Sequence, residues 1–161
     1  MVDKNKRQKK VVVAVSGGFA PVHSGHIKLF EEAKKLGDEL VVILNNDHWL
    51  KKKKGFIFID EKERKQVIES IKWVDIVVLN EHESDPKDMS VADTLRKIKP
   101  DIFANGGDRN KRDAKNASSS LNPEQTLCRE LGIRTVFNVG GGKVQSSSWL
   151  LKNFLNNVKE A

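Results

Sequence analysis

Apolar residues in this chain come in short runs separated by amphipathic stretches. Val11-Val12-Val13-Ala14-Val15 is one continuous run. Without alternation, a run of that length predicts a strand buried on both faces. Over residues 25–36 the spacing becomes helical, with Leu29, Phe30, Ala33 and Leu36 on one side and Gly37 placed as a terminating glycine. Residues 40–44, 75–79, 101–104 and 133–139 read as four further strands. Asp60 and Glu63 form a capping box for a helix carrying Val67, Ile68 and Ile71. Ser90 is placed to cap a helix reaching Ile98, which Pro100 stops. Asn122-Pro123 reads as N-cap and first helical residue, with Gly132 closing that helix. Residues 146–158 predict a last helix, with Leu150, Leu151, Phe154, Leu155 and Val158 turned to the core.

Strands alternating with helices predict a parallel sheet with right-handed crossovers and helices on both faces. The chain has 161 residues, close to the roughly 150 of one domain. No internal repeat is visible. The longest irregular stretch, residues 106–121, reads as a lid or a disordered loop. In such sheets ligands bind beyond the carboxyl ends of the strands, where strand order reverses. Four unusual segments follow strand ends here: Ser16-Gly17-Gly18-Phe19, Asn45-Asn46-Asp47, Asn105-Gly106-Gly107-Asp108-Arg109 and Gly140-Gly141-Gly142-Lys143. They converge on one edge of the sheet, and that convergence marks a site.

Charge changes the picture little. The net charge is +7, but residues 1–10 hold five basic residues and one acid, more than half of that excess. Those ten residues read as a flexible basic arm, and residues 11–161 as the domain. The body is only mildly basic, so nucleic acid is not the expected partner. No apolar run approaches the ~20 residues of a membrane span. One cysteine, Cys128, allows neither an internal disulfide nor a cysteine-based metal cluster. A cytoplasmic protein with no membrane partner is expected.

The chemistry centres on His23-Ser24-Gly25-His26, at the mouth of the first predicted helix. A helix N-terminus presents free N–H groups and favours phosphate. Two histidines three apart can both face that phosphate. Set alone, His-x-x-His is more often a polar loop or a cap. A zinc pair is disfavoured, because His48, His82 and Cys128 lie in no ligand-like spacing. The preceding strand and the Gly17-Gly18 turn favour the phosphate reading.

Gly18-Phe19-Ala20-Pro21-Val22-His23-Ser24-Gly25-His26 resembles the HxGH signature of the cytidylyltransferase-like nucleotidyltransferase superfamily. Ser146-Ser147-Ser148-Trp149-Leu150 is similar to its second motif, a Ser/Thr-rich turn opening the last helix. The resemblance implies an α/β, single Rossmann-like domain whose five parallel strands run in the order 3-2-1-4-5. It implies transfer of a nucleoside monophosphate from CTP or ATP to a small phosphorylated alcohol or sugar, with release of pyrophosphate. Mg²⁺ would enter on the triphosphate, with no protein side chain assigned as its ligand.

The same resemblance implies roles for individual residues. His23 and His26, with Lys51 and Lys54, would act at the reacting phosphate. Gly17, Gly18, Phe19, Gly25, Arg64, Gly107, Asp108, Ser146, Ser147 and Ser148 would bind the nucleotide. Asn46, Asp47 and Lys53 would bind the acceptor. Relatives are commonly homodimers. Two departures bear on the substrate. Ala20 stands where many cytidylyltransferases carry Asp, and an arginine common before the Ser/Thr motif is absent, with Lys143 nearby. The overall layout is similar to glycerol-3-phosphate cytidylyltransferase, the leading reading, and to the heptose-1-phosphate adenylyltransferase type, its alternative. A nicotinamide mononucleotide or flavin adenylyltransferase fits the rest of the chain less well, and so does an aminoacyl-tRNA synthetase fragment, because no Lys-Met-Ser-Lys-Ser stretch is present. A non-catalytic nucleotide or nucleic-acid binder is the remaining competitor.

Overall fold

The structure, a computed structural model, describes residues 9–107 and 109–160. Five apolar segments form strands β1 (Val12–Gly17), β2 (Glu39–Asn45), β3 (Ile76–Asn80), β4 (Ile102–Gly106) and β5 (Arg134–Val139). They make one sheet in the order β3-β2-β1-β4-β5, and every neighbouring pair is parallel. Helices α1 (Ser24–Lys34), α2 (Asp47–Lys54), α3 (Glu61–Glu69), α4 (Ala92–Ile98), α5 (Lys111–Lys115), α6 (Leu121–Leu131) and α7 (Ser147–Glu160) connect or follow them.

Period-two alternation sorts each strand between two cores. Val13, Val15, Leu40, Val42, Leu44 and Ala104 pack with Phe30 and Ala33 of α1 and Ile68 of α3. Ala14, Ile43 and Phe103 turn the other way, onto Leu95 of α4 and Leu121, Leu127 and Cys128 of α6. Helices therefore cover both faces, which explains why the inner strands read as unbroken apolar runs. Strand order reverses between β1 and β4, so the carboxyl ends of those two strands face the crevice.

The structure departs from the sequence reading in five places. Residues 47–54, including the four lysines, form a helix where the sequence reading assigns no element, capped by Asn46 and closed by Gly55 at φ 84°. Lysines in a last turn oppose the negative end of the helix dipole, which suits them to this place. The helix α6 begins at Leu121, so Asn122 and Pro123 lie inside its first turn and Ser120 holds the cap position without a side-chain bond. Val91, not Ser90, occupies the cap position of α4, although Ser90 Oγ accepts from the Ala92 N–H at 3.4 Å. Part of the stretch 106–121 is ordered as α5 and a turn in which Asn116 Oδ1 accepts from Ser118. Finally, α7 does not turn its apolar face to the core: Phe154 is 62%, Leu155 53% and Val158 57% exposed. Its amphipathic pattern identifies a face to be covered, and the domain's own sheet does not cover it. Of the basic arm, Lys9 and Lys10 are described, and Lys9 Nζ lies 3.2 Å from Asp101 Oδ1; residues 1–8 lie outside the described residues.

Candidate active site

A cavity of about 500 Å³ opens at the carboxyl ends of β1 and β4. It is walled by the β1–α1 loop, the start of α1, the last turn of α2, the β4 end, the 140–146 glycine-rich segment and the start of α7.

His23 is the N-cap of α1, and its Nδ1 accepts from the Gly25 N–H at 3.2 Å. His26 reaches back so that its Nδ1 accepts from the His23 N–H at 3.3 Å. The pair is a capping box built from two imidazoles, each satisfying a helix-end donor. Gly25 suits this geometry: a Cβ there would sit 3.0 Å from His23 Cε1, tight enough to press on the ring. The rings stack with centroids 3.7 Å apart, and Phe19 meets His26 edge-on at 4.9 Å. Burial, reinforced by Lys54, holds the His23 pKa below its ordinary value. Burial, then His23 and Lys54, push that of His26 down to about 3. Both rings are therefore neutral near pH 7. Because each Nδ1 is an acceptor, each Nε2 carries the proton and is the donor available to a ligand.

Gly17 and Gly18 serve packing as much as ligand approach. A Cβ on Gly17 would meet Phe19 Cζ at 2.8 Å, and one on Gly18 would meet Trp49 Cζ3 at 2.8 Å. The two glycines let two aromatic rings lie against the strand end. Phe19 itself sits at φ 47°, an uncommon left-handed backbone next to the site.

The helix α7 contributes its N-terminus, with a different task for each serine. Ser146 Oγ accepts from the Trp149 N–H at 3.1 Å and caps the helix. Ser147 is buried, and its hydroxyl donates to Pro21 O at 2.8 Å, tying α7 to the β1–α1 loop. Ser148 stands exposed at the cavity wall. For an anion, the donors here are first-turn N–H groups and the Ser146 and Ser148 hydroxyls.

Of the four lysines that end α2, Lys53 and Lys54 line the cavity, as do Lys28 of α1 and Lys143 before α7. Lys54 Nζ donates to Ala20 O at 3.0 Å, and burial followed by Arg64 lowers its pKa. Lys51 is exposed on the outer side of α2 and does not line the cavity, contrary to its expected role. Successive helical residues diverge by ~100°, so one turn cannot aim every lysine at one point.

Arg64, Asn46 and Asp47 also lie outside the cavity lining, where the sequence reading put them in contact with substrate. Arg64 is 1% exposed. Its Nη1 donates to Gly18 O at 2.7 Å and Asn45 O at 2.8 Å, its Nε to Ile59 O at 3.0 Å, and its Nη2 to Asp47 Oδ1 at 2.7 Å. Those bonds occupy the guanidinium in holding three loops together. Asn46 caps α2 through the Trp49 N–H and donates from Nδ2 to His82 O at 2.9 Å. These residues shape the cavity by placing α2.

Gly17, Gly18, Phe19, His23, Gly25, His26, Lys53, Lys54, Gly107, Ser146, Ser147 and Ser148 are thus brought to one cavity. Asp108 lies outside the described residues. The sequence reading places Ser16 and Asn105 in the segments that converge on the site without giving either a role, and does not single out Trp49; all three line the cavity. For Asn105 a signal exists: two residues beyond buried Phe103, a polar side chain continues the buried face. Among the described residues no carboxylate lines the cavity, and no group of three or more His, Cys, Asp or Glu is placed to hold a metal. No described helix is long and apolar enough to cross a membrane.

A crevice at a strand-order reversal, two helix N-termini and neutral imidazole donors are the features of an α/β nucleotide-binding fold with a phosphate site. The chain belongs to the cytidylyltransferase-like family, whose model matches residues 14–132. It is 39% identical over 102 residues to an FAD synthase of Pyrococcus horikoshii, covering 63% of this chain and 66% of that one. It is 34% identical over 162 residues to the bifunctional protein HldE of Pelobacter propionicus, covering 99% of this chain and 28% of that one. The chain therefore spans just under two thirds of the first relative and little over a quarter of the second. Among solved structures it is similar to a lipopolysaccharide core biosynthesis protein from Thermoplasma volcanium, with 32% identity and a TM-score of 0.62, over 81% of this chain and 95% of that one.

Proposed function

We propose that this protein transfers an adenylyl group from ATP to the phosphate of a small sugar phosphate, as a heptose-1-phosphate-type adenylyltransferase. One observation carries the transferase chemistry: two neutral histidines, several cationic side chains including Lys53 and Lys54, and two helix N-termini meet in one cavity. The preference for ATP and a sugar phosphate rests on likeness to HldE along nearly the whole chain and to the lipopolysaccharide core protein. It replaces CTP with glycerol 3-phosphate as the leading reading. Likeness to FAD synthase supports FMN as the second acceptor to be tried.

In this reading a phosphate oxygen of the acceptor attacks the α-phosphorus in line. The bond from that phosphorus to the bridging oxygen breaks, and pyrophosphate leaves with the electron pair. The substrates bring their own nucleophile, so the protein orients them and stabilises developing charge. Nε2–H of His23 and of His26 donate to oxygens of the α-phosphate. The start of α7 holds the outer phosphates, and Lys53 and Lys54 neutralise charge on the acceptor side. Mg²⁺, when bound, supplies charge neutralisation on the triphosphate. The cavity offers it no described carboxylate, so the nucleotide's own oxygens would hold it.

The test is a matrix of the four ribonucleoside triphosphates against heptose 1-phosphate, glycerol 3-phosphate and FMN, scored by pyrophosphate release. ATP with heptose 1-phosphate should lead. Turnover with CTP and glycerol 3-phosphate alone overturns the substrate assignment, and no turnover with any pair overturns the activity.

A further inference from the structure

Among the described residues, a single buried side-chain polar atom has no hydrogen-bond partner: Nδ2 of Asn105. Asn105 is 4% exposed and lines the cavity. Buried polar groups are hydrogen-bonded as a rule, so an orphan donor at a cavity wall needs a partner from outside the chain.

Its place in the sheet narrows what that partner is. Ala14 of β1 and Phe103 of β4 are paired, and Ser16 and Asn105 each lie two residues further on. Both therefore continue the face that carries Ala14 and Phe103, opposite the one on which α1 packs. The cavity is divided by this: imidazoles on the α1 side, two uncharged polar side chains on the other. The cation nearest in sequence on that side, Arg109, has its Nη1 3.4 Å from the buried carboxylate of Glu124, which offsets its charge.

A carboxamide brings two donors and one acceptor and no charge. It suits a group that both accepts and donates, and a hydroxyl does both at a single atom. A phosphate would gain no charge pairing from it, and an amide nitrogen does not ligate magnesium, an ion that takes oxygen ligands. We infer that Asn105 is a specificity residue that hydrogen-bonds a hydroxyl of one of the two substrates, the nucleotide ribose or the polyol of the acceptor. This rests on the nucleotidyl-transfer reading above. A ligand lacking that hydroxyl leaves the buried amide unpaired, and such mismatches are discriminated against strongly.

The test compares the full-length protein with its Asn105→Leu variant, a near-isostere without polar atoms. Turnover is measured with ATP, 2′-deoxy-ATP and 3′-deoxy-ATP, and with heptose 1-phosphate and its monodeoxy analogues. The unmodified protein should reject one deoxy analogue by about 10- to 100-fold in kcat/KM, and Asn105→Leu should accept it to within about twofold. The analogue whose penalty collapses tells ribose from acceptor. A second readout needs no turnover. Without ligand, the Tm of Asn105→Leu should equal or exceed that of the unmodified protein, because an orphan donor has been removed. The Tm increase given by the cognate ligand should shrink to that given by its deoxy analogue.

Two outcomes overturn the inference. One is equal use of every deoxy analogue by the unmodified protein. The other is a lower ligand-free Tm for Asn105→Leu with discrimination intact, which marks a structural amide. Loss of the transferase reading looks different: no pyrophosphate is released and no nucleotide shifts the Tm of either protein.

Discussion

At the scale of single residues, the two histidines do more than offer donors to the cavity. His23 and His26 cap α1 through Nδ1 and keep Nε2–H for a ligand. His23→Ala and His26→Ala should each lower kcat by on the order of 10²–10³, the usual effect of deleting one preorganised donor. Wild-type pyrophosphate release from either variant would refute their role. The capping function offers a cleaner variant in His26→Gln, because glutamine at the third helical position also completes a capping box. With the His26 pKa held at about 3 by burial, His23 and Lys54, the unfolded chain binds one more proton than the folded one between about 3 and 6.5. Stability from this group is therefore present above the unfolded pKa and lost as pH falls through that window. One such group contributes a slope of at most about 1.4 kcal/mol per pH unit. Chemical denaturation of His26→Gln from pH 4 to 7 should show a flatter profile than the unmodified protein. Parallel profiles would show that His26 is not held neutral.

At the scale of elements, the site depends on how α7 and α2 are tethered. The bond from the Ser147 hydroxyl to Pro21 O joins residues 126 positions apart and fixes the α7 N-terminus beside His23. Ser147→Ala should cost about 1 kcal/mol of local stability, seen as faster amide exchange in the first turns of α7. The KM for the nucleotide should rise more than kcat falls, since the helix end proposed to hold the outer phosphates is loosened and the histidines are not. An unchanged KM would separate α7 from nucleotide binding. For α2 the anchor is Arg64, which bonds the ends of β1 and β2 and the start of α2. Arg64→Ala leaves Asp47 without its ion-pair partner and three carbonyls without a donor. Breaking such a pair costs about 3–5 kcal/mol, measurable as a lower denaturation midpoint. Loss of activity at full stability would instead return Arg64 to the triphosphate.

At the scale of the whole molecule, the exposed face of α7 is the feature the monomer does not explain. Phe154, Leu155 and Val158 follow helical spacing and are all more than half exposed. The expected homodimer would place a second copy there. Sedimentation of the unmodified protein should give a dimer, and Phe154→Asp with Leu155→Asp should give a monomer of unchanged secondary structure. A monomer at micromolar concentration before mutation would leave α7 with another role.

Much of this protein is determined by local chemistry written along the chain. Unbroken apolar runs too short for helices, bounded by turn residues, read as strands covered on both sides, so the α/β alternation and the parallel sheet follow from pattern and length. A glycine between two histidines at a helix start marks a candidate phosphate site only when read with the preceding strand and the Gly17-Gly18 turn. The chemistry of long side chains was legible only in the folded molecule. An arginine or lysine spans several ångströms, and sequence does not say which way it reaches. Burial turned Arg64 inward onto three loops, while helical geometry pointed Lys51 away and Lys54 in. Asn105 is the converse: its sequence neighbourhood reads as a turn, yet sheet register places its amide, unpaired, at the cavity wall. Local pattern decides which elements form; only tertiary contact decides which polar groups are spent within the fold and which remain for a ligand.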